Sequence, residues 1–328
     1  MNKHPFLFTR RRGLSGVLSL GLAPGAFAQS GYPDRAITLI VPFGPGGIAD
    51  LTARAVAKEM SATLKQPIVI DNRPSAGAIV GATAVARAEP DGHTVLLMSN
   101  ANAVSAGLFR KLPFDVQRDF APVTLLGTFD LALFVNQNSA LKSVHDVIAQ
   151  AKAAPGKLTI GTIASGSTQH LAAELFKSMA QIDALIVPYK GTPAVITALR
   201  AGEIDLAFEI LGPMLPQVQG NAVRALAVTS DKRFAGLPAV PTVQESGLSD
   251  YMAASWNALA LPAKTPAAVV QRLHRAAQEA VAMPTVQAQL QGLGVRAQGS
   301  TPEQLQQLLA DEIRRWSQVI QSAKIEQQ

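Results

Sequence analysis

The chain has 328 residues, of which 48% are hydrophobic and 16% are charged, with a formal net charge of +6. This is ordinary globular composition, with room for two domains. It contains no cysteine, which excludes disulfides, thiolate metal sites and a cysteine nucleophile. The five histidines are scattered and show no paired-ligand spacing, so we predict no metal site.

The first 28 residues have the pattern of an export signal. Lys3 and Arg10-Arg11-Arg12 precede a short apolar run. That run ends in Ala26-Phe27-Ala28, an A-x-A cleavage pattern. We therefore expect residues 1–28 to be removed and the mature protein to be periplasmic, by either Sec or twin-arginine export. The remaining chain has 25 basic and 23 acidic residues, so its charge of about +2 gives little support for nucleic-acid binding.

The stretch from Ile37 to Arg54 predicts a strand, a tight Gly/Pro loop and a helix. Free backbone N–H groups at such a helix start, together with the helix dipole, favour a phosphate or carboxylate. An ordinary turn that needs its glycines only for the bend remains the alternative. Asp50 can meet a ligand or cap its own helix. The candidate ligand residues of this loop are Phe43, Gly46, Gly47, Ile48, Ala49 and Asp50.

Two further strand and helix units follow. A buried strand at 67–72 leads into a Gly/Ala-rich loop and a helix around Ile79–Ala88, and a third strand, Thr94–Met98, ends at Ser99 and Asn100. Alternating strands and helices predict an α/β fold whose ligand crevice lies at the carboxyl ends of parallel strands. Ser99 and Asn100 are therefore candidate ligand residues, with a plain turn as the alternative.

The long apolar pattern Val123–Val135 indicates a crossover strand into a second domain of the same kind. There the strand Leu158–Gly161 precedes a small polar loop, and a buried helical stripe follows. Ser167 or Thr168 can also serve only as the cap of that helix. The candidate residues at the strand ends of this domain are Ser165, Gly166, Ser167, Thr168, Tyr189, Gly191 and Glu209.

A second apolar run, Ala258–Pro262, predicts the return crossover, after which the chain is helical. Thr301-Pro302-Glu303-Gln304 has the cap, the N1 proline and the capping-box glutamine of a helix start. If these helices return to the first domain, the chain crosses the boundary twice. We then expect one lobe of residues 29–128 and 259–328, a second lobe of residues 129–258, and a hinge of two strands.

An ordered set of motifs spans nearly the whole mature chain: Tyr32-Pro33-Asp34-Arg35, the loop Val41–Asp50, Asp71-Asn72-Arg73-Pro74, Pro90-Asp91-Gly92, Pro188-Tyr189-Lys190-Gly191, Arg224–Ser230 and Trp316. In this order the motifs resemble those of one family, the Bug or TctC-like periplasmic substrate-binding proteins of tripartite tricarboxylate transporters.

The resemblance implies a two-lobed, type II-like Venus-flytrap fold, in which each lobe is a mainly parallel sheet flanked by helices. The loops Phe43–Asp50 and Ser165–Thr168 would face each other across the cleft. The ligand would be a small carboxylate, namely a di- or tricarboxylate, an acidic amino acid or an aromatic acid, passed by a monomeric protein to membrane permease subunits. This chain departs from the family pattern at Glu209-Ile210, where Asp-Asn is usual, which bears on the ligand preference.

The main alternative is an exported NAD(P)-dependent oxidoreductase. Gly44-x-Gly46-x-x-Ala49 matches a dinucleotide fingerprint, and Asp71 ends the next strand, where a ribose-binding acid belongs. Against it, prolines stiffen the turn and no catalytic acid/base set accompanies the motif. We therefore predict a binding protein without catalytic residues or a cofactor.

Overall fold

The computed structural model describes Met1 and residues 31–163 and 167–328. The chain divides into a unit Met1–Tyr32 and a unit Pro33–Gln328, and the fold described below is that of the second. The predicted signal peptide and the candidate residues Ser165 and Gly166 lie outside the described residues.

The strands of the described residues alternate with helices along much of the chain. The strands are β1 (Ile37–Val41), β2 (Ile68–Asn72), β3 (Thr94–Ser99), β4 (Phe120–Asn136), β5 (Thr159–Ile163), β6 (Leu185–Tyr189), β7 (Leu206–Ile210), β8 (Val223–Val228), β9 (Ala254–Pro262) and β10 (Val295–Ala297). The helices are α1 (Ile48–Leu64), α2 (Ile79–Ala86), α3 (Asn100–Leu108), α4 (Val144–Ala153), α5 (Thr168–Ala180), α6 (Thr192–Ala201), α7 (Leu211–Gln219), α8 (Ala267–Ala282), α9 (Pro284–Gly292) and α10 (Pro302–Ser322).

The strands form a mixed sheet with two regions that share β4. Its order is β2-β1-β3-β9-β4-β7-β5-β6, and β8 and β10 also pair with β4. The outer strands pair in parallel, β1 with β2 and β3, and β5 with β6 and β7. The first region therefore contains β1, β2, β3, β9 and β10, and the second contains β5, β6, β7 and β8.

The long strand β4 runs through both regions. Up to Asp130 it pairs antiparallel with β9, and from Leu131 onward it pairs with β7 and β8. The return strand β9 begins at Ala254, four residues before the apolar run that predicted it. Ser255, Trp256 and Asn257 near its start interrupt the apolar pattern and are recognisable as strand only from their register with β4.

The core is continuous between the two regions because the C-terminal helix packs against both. Trp316 and Ile320 of α10 belong to the same buried cluster as Met98 of β3 and Phe176 of α5. The sequence predicted the start of α10 correctly. Thr301 accepts a hydrogen bond from the Gln304 backbone N–H, and the Gln304 side chain accepts one from the Thr301 N–H, which together form a capping box.

Helix length and polarity bear on membrane insertion. Among the described residues, no helix combines the length and the apolar character that crossing a bilayer requires.

Candidate functional site

The first candidate loop joins β1 to α1 and is exposed from residue 44 to residue 47. Gly46 has a φ of +80°, a conformation that side chains rarely adopt. Gly47 is the N-cap of α1 in an extended conformation, so no side chain caps the helix start. Among the described residues, a Cβ on Gly44 would meet no atom within 4 Å, and one on Gly47 only the Gly44 carbonyl oxygen at 3.8 Å. Close packing is therefore not the reason why Gly44 and Gly47 lack a side chain.

Asp50 holds this loop in place from the first turn of α1. The side chain is 2% exposed, and its Oδ2 accepts hydrogen bonds from the Gly46 N–H and the Arg54 Nε, both at 2.9 Å. Its Oδ1 accepts one from Asn72 Nδ2 at 3.0 Å, and Asn72 also donates to the Phe43 carbonyl. Burial alone would raise the pKa of Asp50, but these hydrogen bonds hold it below its usual value. The contacts favour the structural role for Asp50.

The end of β3 places Ser99 and Asn100 at the start of α3. Ser99 is the N-cap and forms a capping box with Asn102. Asn100 is fully buried; its Oδ1 accepts a hydrogen bond from Trp316 Nε1 at 2.8 Å, and its Nδ2 donates to Thr168 Oγ1 at 3.0 Å. Asn100 therefore joins α10 to the second candidate loop, a contact that the sequence did not indicate.

Ser167 caps α5, as the alternative interpretation of the sequence allowed. Its Oγ accepts the His170 backbone N–H at 3.1 Å and donates to the Ile163 carbonyl. The hydroxyl is thereby used within its own helix start. Thr168, the first residue of α5, contacts Asn100 of the first region.

The carboxyl ends of β6 and β7 hold the remaining candidates. Tyr189 is half-buried at the end of β6, and burial followed by the charge of Glu203 raises the pKa of its hydroxyl. Gly191 is the N-cap of α6 without a side-chain cap. Glu209 is fully buried. These residues lie at one edge of the second region because β5, β6 and β7 are parallel.

Glu209 makes contacts that link three helix starts. Its Oε2 accepts hydrogen bonds from Gln169 Nε2 at 3.3 Å, Thr192 Oγ1 at 3.0 Å and the Ile210 N–H at 3.1 Å. Its Oε1 is buried without a partner in the described structure. Burial raises the pKa of this carboxyl to about 7, although the three hydrogen bonds oppose the shift. Gln169 and Thr192 belong to no motif, so the sequence did not identify them as site residues.

The two regions of the sheet approach each other at the edge that holds the carboxyl ends of β6 and β7. A Cβ on Gly212, in the first turn of α7, would lie 3.5 Å from Ile48 Cδ1 of α1. With the bond between Asn100 and Thr168, this brings the starts of α1 and α3 close to those of α5 and α7. In chemical terms the arrangement offers backbone N–H donors and helix dipoles, which suit an anionic group. No group of three or more His, Asp or Glu side chains in the described ranges is placed to hold a metal ion.

The sequence and the fold of this chain are similar to those of known proteins. Residues 52–325 match the family model described as tripartite tricarboxylate transporter family receptor, TctC. This chain belongs to that family. BugT of Bordetella pertussis is 34% identical over 306 residues, which cover 93% of this chain and 94% of BugT.

Two solved structures show how closely the fold of this TctC-family chain agrees with its relatives. Rpa4515 of R. palustris, solved with adipate, has a TM-score of 0.81 and 33% identity, covering 90% of this chain and 99% of that chain. MatC from Rhodopseudomonas palustris, with bound malate, has a TM-score of 0.75 and 31% identity, covering 88% and 99%. The predicted family and the α/β, two-lobed periplasmic binding protein fold are confirmed.

Proposed function

We propose that this chain is an exported solute-binding protein that captures a small carboxylate between its two lobes and delivers it to permease subunits of a tripartite tricarboxylate-type transporter. Lobe 1 comprises residues 29–128 and 259–328, and lobe 2 residues 129–258. The change of partners along β4, between Asp130 and Leu131, supports a hinge close to the first of these boundaries.

The observation that carries the proposal is the open first loop. Within the described parts of the chain, a Cβ on Gly44 or Gly47 would meet no atom closer than 3.8 Å, and neither packing nor a positive φ requires glycine at these positions. Gly47 also leaves the start of the 17-residue helix α1 without a side-chain cap. A carboxylate there would accept hydrogen bonds from first-turn N–H groups and be favoured by the helix dipole. The absence of side chains is what lets such a group approach the backbone.

The relatives support the same ligand class. Rpa4515 was solved with adipate and MatC with malate, and both ligands are small carboxylates. The family and its structural neighbours are binding proteins, which supports a protein without catalytic residues. For this chain we further propose a periplasmic location, a monomeric state and transfer of the ligand to a permease.

A dinucleotide-dependent enzyme is the competing function. It needs Asp71 for a ribose hydroxyl, but Oδ2 of Asp71 accepts two hydrogen bonds from Arg73, at 2.9 and 2.8 Å. Asp71 is therefore engaged in an ion pair beside the loop. The binding-protein function accounts for the loop without releasing this pair.

Thermal-shift measurements on the mature protein test the two functions together. A ligand at 100 times its dissociation constant adds about 2.7 kcal/mol to the native state, which corresponds to a rise in Tm of several degrees for a chain of this size. We expect at least one member of a panel of aliphatic, hydroxy, amino and aromatic carboxylates to give this rise. A rise with NAD or NADP and with no carboxylate would contradict the proposal.

A further inference from the structure

Glu209 places a carboxyl group where the second lobe gathers its hydrogen-bond donors. Its Oε2 receives three donors from three elements: Gln169 in the first turn of α5, Thr192 at the start of α6, and the Ile210 N–H that precedes α7. These helices have 13, 10 and 9 residues. Hydroxyl, amide and backbone donors near helix starts are the groups that bind a carboxylate. Here a carboxyl of the protein already occupies them.

No cationic side chain of the described residues balances this carboxyl. In the described part of the chain, the groups that act on Glu209 are hydrogen-bond donors and burial, with no Lys, Arg or His among them. At a pH above its pKa of about 7 this carboxyl is ionised, and a buried carboxylate repels a second anion strongly, because the low local dielectric screens the two charges little. A ligand carboxylate next to Glu209 would therefore be disfavoured.

The other oxygen of the same group is free to accept a hydrogen bond. Glu209 Oε1 is buried, and no described residue donates to it. A buried acceptor without a donor is unfavourable, whereas a ligand donor at this point would be bound tightly. The donor can be a hydroxyl or an ammonium group, and an ammonium group would also supply the missing positive charge.

We propose that Glu209 takes the place of a second ligand carboxylate, so that the preferred ligand carries one carboxylate for the first loop and a hydroxyl or amine donor for Glu209 Oε1. This inference rests on the proposed carboxylate-binding function and narrows it. The preferred ligands are then ω-hydroxy or ω-amino carboxylates rather than dicarboxylates of the same length.

The substitution Glu209→Gln should reverse this preference. The glutamine oxygen can accept the three donors that now reach Oε2, which leaves the NH₂ group at the position of Oε1. The variant would then present a donor where the natural protein presents an acceptor, with nearly unchanged volume. Glu279→Gln is the matched control, because Glu279 is exposed on α8, and Glu209→Asp is a second variant that retains the charge but shortens the side chain.

Calorimetric titration with two matched series at about pH 8.5, where the Glu209 carboxyl is ionised and its Oε1 can only accept a hydrogen bond, tests the inference. The first series is succinate, 4-hydroxybutyrate, 4-aminobutyrate and butyrate; the second is adipate, 6-hydroxyhexanoate, 6-aminohexanoate and hexanoate. For the natural protein and Glu279→Gln, we expect a hydroxy or amino member to bind at least about tenfold more tightly than the dicarboxylate of its series. In Glu209→Gln the order should reverse, and Glu209→Asp should still disfavour the dicarboxylate.

Three results would overturn the inference. If the natural protein binds the dicarboxylate as tightly as its hydroxy and amino counterparts, Glu209 does not select the ligand, while the carboxylate-binding function stands. The same conclusion follows if folded Glu209→Gln retains the preference of the natural protein. If no carboxylate of any kind binds the natural protein, the proposed function itself fails, and this inference fails with it.

Discussion

Asn100 and Thr168 are joined by a hydrogen bond of 3.0 Å from Nδ2 to Oγ1, across the two regions of the sheet. The amide oxygen of Asn100 is held at the same time by Trp316 Nε1. The three residues form a chain from the C-terminal helix to the second candidate loop. These hydrogen bonds tie the start of α5 to the packing of the first region.

Substitutions at Thr168 and Asn100 should lower the stability of the protein by different amounts. Thr168→Val removes one hydrogen bond and should lower the free energy of unfolding by about 0.5–1.5 kcal/mol. Asn100→Ala leaves the buried indole N–H of Trp316 without a partner and adds a cavity, so we expect a loss of about 2–4 kcal/mol. Urea unfolding measures both, and Thr197→Val, on the exposed face of α6, is the control. If both variants lose the same free energy of unfolding, the hydrogen bond between Asn100 and Trp316 does not contribute the additional stability.

Ser167→Ala tests whether this hydroxyl is a helix cap. Loss of an N-cap costs about 0.5–2 kcal/mol of stability. Ser143 caps α4 by the same contact, accepting the Asp146 N–H, and no ligand residue is predicted near it in sequence. We therefore expect Ser167→Ala and Ser143→Ala to lose similar unfolding free energy, and Ser167→Ala to change ligand affinity by less than about tenfold. A larger loss of affinity with unchanged stability would assign Ser167 to the ligand instead.

Glu209 should make stability fall as the pH rises. Its pKa in the folded protein is about 7, against an ordinary value of 4.5, so the native state holds this proton more tightly than the unfolded chain does. The resulting stabilisation is complete below the ordinary value and is lost as the pH rises through the folded value. At 1.36 kcal/mol for each unit of pKa, it amounts to roughly 3 kcal/mol.

The comparison of Glu209→Gln with the natural protein isolates this effect, because other titrating groups are common to both. Between about pH 5 and about pH 8 the natural protein should lose about 2–3 kcal/mol relative to the variant. Urea unfolding at the two pH values measures the difference. If the difference in unfolding free energy between the two proteins is the same at both pH values, the Glu209 carboxyl titrates as it does in the unfolded chain.

Local sequence patterns predicted much of the fold. The change from β-branched residues to a Gly/Pro turn and then to helical spacing placed β1, the first loop and α1 correctly, because each signal lies within a few neighbouring residues. The cap residue and the proline also predicted the start of α10 correctly. The bounds of β9 were less accurate, because its first residues are recognisable as strand only through their pairing with β4.

The side-chain contacts of the site were not predictable in the same way. Trp316 and Asn100 are 216 positions apart, and Asn72 at the end of β2 contacts Asp50 in the first turn of α1. Such pairs leave no periodic trace in one sequence, so the roles of Asn72, Gln169 and Thr192 became visible only in the folded chain. The sequence identified Glu209 as a departure from the family pattern, but its three donors required the structure.

The central claim is that the backbone of the first loop holds the ligand carboxylate, and Gly47→Val tests it most directly. A Cβ at Gly47 meets ordinary contact at 3.8 Å, and its φ of −80° suits any residue, so the variant should fold. Because valine is a poorer N-cap than glycine, we expect its Tm to fall by no more than a few degrees. Gly292→Val is the matched control, because a Cβ at this exposed glycine also meets open space.

The measurement is calorimetric titration of both variants with the carboxylate that stabilises the natural protein most, beside a thermal melt. We predict that Gly47→Val loses at least about a hundredfold in affinity, because the side chain blocks approach to several charge-assisted hydrogen bonds, and that Gly292→Val binds as the natural protein does. Normal affinity in a folded Gly47→Val protein would contradict the claim and remove the first loop from the site.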